Sequence, residues 1–286
     1  MSASFRYVQP HGLEDACRFL AGHAEDARAL AGGTDLLVGL RRGTISARYL
    51  VGLGNLREPG DIDPLTGGGM RIGFRATLEE TAAHPLIGNR YRALSEAAHT
   101  VGSVQIRNRG TVVGNICNAS PAADTAPALL VFEAAVNIRG AEGRRTVPLE
   151  EFFLGPARTA LGPGELVESI DLPPAGSPSA SCYLKLGRTR GVDLAVVGVS
   201  VCMAADGETR VALASVAPTP MRARAAEEIL ASGTGSGALE DAARAAADEI
   251  SPVSDVRASA AYRRAMARVL FKRAVLLARK RQEGRA

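Results

Sequence analysis

Ala31-Gly32-Gly33-Thr34-Asp35-Leu36-Leu37 is the stretch on which the reading of this chain turns. An apolar run, Ala27 to Leu30, precedes it and an amphipathic run, Leu36 to Arg42, follows it. That order predicts a strand, a tight turn and a helix closed by Gly43. Paired glycines leave the backbone bare and permit positive φ, so an anion can approach the amides. The helix beyond would turn its free N–H groups and positive dipole end toward the same anion. A diphosphate suits such a cradle; a plain packing turn is the alternative.

A second stretch strengthens the first. It runs Gly110-Thr111-Val112-Val113-Gly114-Asn115-Ile116-Cys117-Asn118-Ala119-Ser120-Pro121-Ala122-Ala123-Asp124-Thr125-Ala126-Pro127. Thr111 and Ser120 offer hydroxyls, Asn115 a donor and an acceptor, and Asp124 an acceptor for sugar hydroxyls. Gly114 keeps the backbone open. The other reading is a loop whose Asp124 caps the following helix.

Composition narrows the classes. The chain has 286 residues, enough for about two domains, with 46% apolar and 22% charged residues, ordinary for a globular protein. No apolar run approaches the ~20 residues that span a bilayer, and the N-terminus lacks the apolar core of a signal peptide. A cytoplasmic protein is expected. Cys17, Cys117, Cys182 and Cys202 are scattered, as are the four histidines, so neither zinc nor iron–sulfur ligation nor a disulfide framework is expected. From Arg257 to Ala286 ten basic residues face one acidic residue, leaving the remainder at a net −5. The basic character is confined to the tail, and no nucleic-acid role follows from it.

Phe5 to Val8, Leu13 to Leu20 and Tyr49 to Val51 complete a small α/β unit ending near residue 55. No GxGxxG follows the first strand, so an ordinary dinucleotide fold is not supported. A second unit predicts strands at Met70–Phe74, Ala135–Arg139 and Leu166–Leu172. Its helices are expected at Leu78–Ala83, Arg92–Thr100 and Thr125–Phe132, with turns and short extended pieces from Val104 to Ala119. Pro173-Pro174-Ala175-Gly176-Ser177-Pro178 reads as a linker. Extended runs then follow at Ser181–Leu186, Leu194–Ala204 and Val211–Val216. Helices at Arg222–Leu230, Leu239–Ile250 and Ser259–Leu277 close an α+β unit. The last helix shows an apolar stripe at Tyr262, Met266, Leu270 and Leu277, with Arg263, Arg264, Arg268 and Lys272 on its other faces.

The two long motifs together resemble the FAD-binding subunit of the molybdenum hydroxylases, the xanthine dehydrogenase-like and carbon monoxide dehydrogenase-like enzymes. In that family an AGGTDLL-like turn is paired with a TxGGNIxxASPxAD stretch about eighty residues later; here Gly33 and Asn115 are 82 residues apart. The resemblance covers the whole chain. It implies an α+β fold: a two-lobed FAD-binding domain (PCMH-type) at 1–175, with lobes 1–55 and 56–175. A C-terminal α+β domain with a three-stranded sheet and helices would follow at 178–286.

By the same resemblance Ala31, Gly32, Gly33, Thr34 and Asp35 would wrap the diphosphate of a non-covalent FAD. Thr111, Gly114, Asn115 and Asp124 would hold its diphosphate, ribityl or ribose groups. Lys185 and Leu194, nine positions apart, would lie by the flavin ring, where a cation stabilises the reduced anionic form. Val113 replaces a family glycine, and a Cβ there would push the backbone from the cofactor. Asn118 also departs from the family's usual histidine or threonine.

No side chain of this chain is expected to be catalytic or to hold a metal, since the flavin carries the reaction. Molybdopterin and 2Fe-2S clusters would sit on a large and a small partner subunit. Electrons would pass from those clusters through FAD to NAD+ or another acceptor. Other two-lobed flavoenzymes, of the enolpyruvyl-sugar reductase or flavin oxidase type, and an assembly protein that has lost its cofactor are the alternatives.

Overall fold

The computed structural model describes residues 5–56, 61–175, 180–189, 191–203, 207–233 and 235–284. Three parallel strands come first: β1 (Arg6–Val8), β2 (Ala27–Leu30) and β3 (Tyr49–Gly52), in the order β1-β3-β2. Parallel neighbours require crossovers, and α1 (Leu13–Gly22) and α2 (Leu36–Arg42) supply them. α1 buries Leu13, Ala16, Cys17 and Leu20, the face its sequence spacing predicts. α2 ends where Gly43 takes φ +71, a conformation costly for any side chain.

A five-stranded antiparallel sheet follows, ordered β4 (Ile62–Pro64), β5 (Met70–Gly73), β10 (Leu166–Leu172), β6 (Ala135–Arg139) and β7 (Arg144–Pro148). Between β5 and β6 run six helices: α3 (Leu78–Ala83), α4 (Pro85–Arg90), α5 (Arg92–His99), α6 (Val104–Arg107), α7 (Val112–Cys117) and α8 (Thr125–Val131). Then α9 (Leu149–Phe152) and the short pair β8 (Phe153–Gly155) and β9 (Arg158–Thr159) lead into β10. Every residue of α8 is buried, as befits a helix apolar all round. α3 starts with a capping box, Thr77 and Glu80 bonding each other's backbone amides.

The segment 104–119 differs from its reading as turns and extended pieces: it forms α6 and α7. Ser103 and Thr111 cap them, accepting from the amides of Ile106 and Gly114. Val112, Val113 and Ile116 are buried, and packing of those side chains outweighs their weak helix propensity.

The third sheet is antiparallel: β11 (Ala180–Leu186), β12 (Val197–Met203), β13 (Thr209–Ala214) and a two-residue edge strand, β14 (Met221–Arg222). The three expected long strands are thus joined by a short fourth. α10 (Arg224–Ser232), α11 (Ser236–Glu249) and α12 (Ala260–Gln282) follow. Gly176 to Pro178 of the linker stretch, and Ala204 of the second extended run, lie outside the described residues. Among the described residues no helix is long and apolar enough to cross a membrane.

The stripe of α12 is displaced from its expected position. The helix buries Arg263, Ala267, Leu270, Phe271, Ala274, Val275 and Ala278, while Tyr262 is exposed. Arg263 is only 1% exposed. Its guanidinium donates to the carbonyls of Val196 (2.6 Å) and Ser215 (3.1 Å) and to Asp255 Oδ1 (2.7 Å). Arg264 donates to the carbonyls of Ala247 and Ile250, and Arg268 and Lys272 both reach Glu240. The basic residues that sequence alone placed on free faces therefore find partners within the chain. Arg263→Ala removes the buried guanidinium from the Val196 and Ser215 carbonyls, while Asp255 keeps Arg257. The expected loss of unfolding free energy is about 3 kcal/mol, measured by urea denaturation, with Tyr262→Ala costing under about 1 kcal/mol.

Candidate functional site

The opening turn sits at the end of β2. Gly33 takes φ +76, and α2 is entered by bonds from Leu37 N to Gly33 O (3.1 Å) and Gly39 N to Asp35 O (2.9 Å). Against this turn lies the backbone that opens the second motif. A Cβ built on Gly32 would stand 1.9 Å from the Arg109 carbonyl oxygen and 2.9 Å from Gly110 Cα. A Cβ on Gly110 would stand 3.3 Å from Thr34 Oγ1. Gly32 is required because two main chains meet there.

A cleft of about 150 Å3 opens at this meeting, lined by Ala31, Gly32, Leu53, Gly54, Arg75, Thr77, Asn108, Arg109 and Thr111. Among the described residues, none accepts a hydrogen bond from the amides of Gly32, Gly33, Thr34 or Asp35. Arg75 donates to Asp61 through Nε (3.0 Å) and to the Leu56 carbonyl (2.5 Å). The exposed Arg109 forms no ion pair with another described residue.

Thr111 links the cleft to α7. Its hydroxyl accepts from Gly114 N at 2.9 Å, so Gly114's amide is already engaged. Asn115 Oδ1 accepts from Thr125 Oγ1 at 2.6 Å. The Val113 side chain is buried in the core, so its Cβ does not intrude on the cleft as the sequence suggested.

Asp124 is not the helix cap that its position before α8 predicts: its carboxylate makes no capping bond. Oδ1 instead accepts from Tyr183 OH (2.5 Å) and Oδ2 from Lys185 Nζ (2.8 Å). Lys185 Nζ also donates to the Thr100 carbonyl at 3.2 Å. Burial pushes the Asp124 carboxyl above its ordinary range, opposed by Lys185 and then Tyr183. Burial, then the neighbouring carboxylate, pushes the Tyr183 phenol well up. The structure thus joins Asp124 and Lys185 directly. Leu194 is 55% exposed on the loop beyond Asp193.

A second cavity of about 140 Å3 is lined by Glu133, Glu150, Arg222 and Arg224 among others. Its charges are already paired, Arg224 with Glu150 at 2.5 Å and Arg222 with Glu227 at 2.6 Å.

The family model described as the FAD binding domain in molybdopterin dehydrogenase matches residues 3–175, and that of the CO dehydrogenase flavoprotein C-terminal domain matches residues 182–278. The chain belongs to the FAD-binding subunits of the molybdenum hydroxylases. It is 33% identical to the carbon monoxide dehydrogenase medium chain of Hydrogenophaga pseudoflava, over 95% of this chain and 96% of that one. To the putative xanthine dehydrogenase FAD-binding subunit of Escherichia coli it is 31% identical, over 94% of each. It superposes on a solved carbon monoxide dehydrogenase from Hydrogenophaga pseudoflava lacking the Mo-pyranopterin moiety with a TM-score of 0.93, at 33% identity, covering 98% of this chain and 99% of that one.

The cleft of this flavoprotein subunit suits an FAD diphosphate in its chemistry. Unpartnered amides and an exposed guanidinium answer phosphate oxygens, and the bare Gly32 allows close approach. Sequence reading missed Arg75, Thr77, Asn108 and Arg109, which reach the cleft from 77 residues or fewer away in sequence. The T-x-x-E signature at Thr77–Glu80 was available as a cap signal. Tyr183 carries no local signal of its role, since its bond to Asp124 spans 59 residues.

The Asp124–Lys185 pair yields a pH test. A carboxyl whose pKa is raised by folding contributes stability that is full below its unfolded value and lost as pH rises through the folded value. Lys185→Met removes the strongest opposing influence and raises Asp124 further. The variant's melting temperature is therefore expected to fall increasingly below wild type as pH rises above the ordinary carboxylate range, and a constant gap would count against the pair.

Proposed function

We propose that this chain is the electron-transfer subunit of a molybdenum-containing hydroxylase working in the cytoplasm. A small 2Fe-2S subunit passes it electrons received from a large molybdopterin-binding subunit, and they leave for NAD+ or another acceptor. Residues 1–175 act as the FAD-binding domain and 178–286 as the C-terminal flavoprotein domain. The observation that carries this reading is the contact of Gly32 with the Arg109–Gly110 backbone. With it Ala31 and Gly32 of one motif and Thr111 of the other line one cleft, which supports a shared ligand.

Bound FAD supplies the redox chemistry. The task of the protein residues is to bind and orient. Gly32 to Asp35 offer the diphosphate their free amides, with Ala31 leading into the turn. Thr111 and Gly114 shape the other wall, with Asn115 fixed by Thr125. Lys185, held by Asp124 and the Thr100 carbonyl, would stand at the flavin end as one member of an ion pair, while Leu194 would border the ring from its exposed loop. No acid–base side chain is needed.

The division of labour is supported by the spacing of the thiols: Cys17, Cys117, Cys182 and Cys202 lie at least 20 residues apart in sequence, unlike the clustered cysteines of an iron–sulfur motif. Similar relatives are named for carbon monoxide and for xanthine. Substrate choice therefore belongs to the large subunit.

The test is a native purification. The expected preparation shows two flavin absorption bands in visible light and brings down one larger and one smaller companion chain. A colourless protein that FAD fails to reconstitute would overturn the reading.

A further inference from the structure

The charge balance of the cleft points to a residue outside both motifs. FAD carries a diphosphate with two negative charges, and the amides of Gly32 to Asp35 are dipoles without net charge. Asp35, exposed in the same turn, adds a negative charge. A full positive charge is needed to offset these in a partly solvated cleft.

Two arginines line it among the described residues. Arg75 is committed. Its guanidinium takes both Asp61 oxygens, at 3.0 and 3.3 Å, and the Leu56 carbonyl. Arg109 is uncommitted. Its backbone is fixed by donation from its amide to Ile106 O at 3.1 Å and by the contact of its carbonyl with Gly32. The side chain is exposed, and no described carboxylate pairs with it. A fixed backbone and an unpaired guanidinium beside unpartnered amides form one half of an anion clasp. The planar fork of arginine matches two phosphate oxygens at once.

We propose that Arg109 is the cationic ligand of the cofactor diphosphate, closing over it from the wall opposite the glycine turn. The proposal rests on the reading of this cleft as the FAD site. It assigns the electrostatic part of cofactor affinity to a side chain, while the glycine motifs supply shape and dipoles. Because the Arg109 side chain is exposed, replacing it leaves the fold's contacts, which are made by its backbone, intact.

The experiment is FAD titration of the full-length apoprotein by flavin fluorescence, for wild type, Arg109→Gln and Arg109→Lys, across a salt series. Arg109→Gln is expected to weaken FAD binding about tenfold at about 50 mM salt, the loss of one charge-assisted contact. That gap is expected to narrow toward none at about 1 M salt, where screening removes the charge term. Arg109→Lys, which keeps the charge and loses the fork, should fall between the two. Binding of Arg109→Gln within twofold of wild type at every salt concentration would overturn the proposal, as would a loss that salt does not narrow. Wild-type protein that binds no FAD would instead overturn the assignment of the cleft, and this proposal with it.

Discussion

Two stretches of main chain, Gly32 and Arg109–Gly110, pass so close that a single Cβ at 32 would sit 1.9 Å from a carbonyl oxygen. The site depends on this approach. It brings the end of a parallel strand in the first sheet to the entrance of α7 in the helical layer of the second. Ala31 and Gly32 of the turn line the cleft formed there. The constraint is steric, and no alternative side chain satisfies it without moving one backbone from the other.

A second junction orders the surroundings of Asp124 and Lys185. β11 is held against α5 and α8 by polar contacts. Ser181 Oγ accepts from Ala93 N, Glu96 from Tyr183 N, and Asp124 from Tyr183 OH and Lys185 Nζ. Arg281, near the end of α12, donates to Glu96 at 2.7 Å and to the Ser181 carbonyl at 2.5 Å. Buried ion pairs of this kind add little net stability, since desolvation offsets most of the attraction. In this register Asp124 meets both Tyr183 and Lys185, and Lys185 lies beside the Thr100 carbonyl. The last helix of the chain thereby helps hold a lysine near the proposed flavin position.

Much of this was readable in the sequence where the signal is local. Gly43 ends α2 and the glycine pair makes the turn at 32–33 because backbone geometry there admits little else. The apolar spacing of Leu13 to Leu20 likewise predicts the buried face of α1. What escaped reading depended on distant partners. Arg263 looked like a surface residue because the carbonyls that satisfy it belong to Val196 and Ser215, 67 and 48 residues away. Asp124 looked like a cap because Tyr183 and Lys185 arrive from another sheet. Val113 looked like an obstruction because its direction follows from α7, a helix that its β-branched sequence did not suggest. The motifs were visible as words; which wall of the cleft each formed was set by tertiary contact.

The most direct measurement is backbone amide hydrogen exchange with and without FAD. The account expects the amides of Gly32, Gly33, Thr34 and Asp35 to slow together by about tenfold or more on saturation, as bound ligand protects the groups it touches. Amides in the middle of α12 should exchange at an unchanged rate. If the turn amides exchanged in saturating FAD as fast as in the apoprotein, the cofactor would lie elsewhere and the central claim would fail.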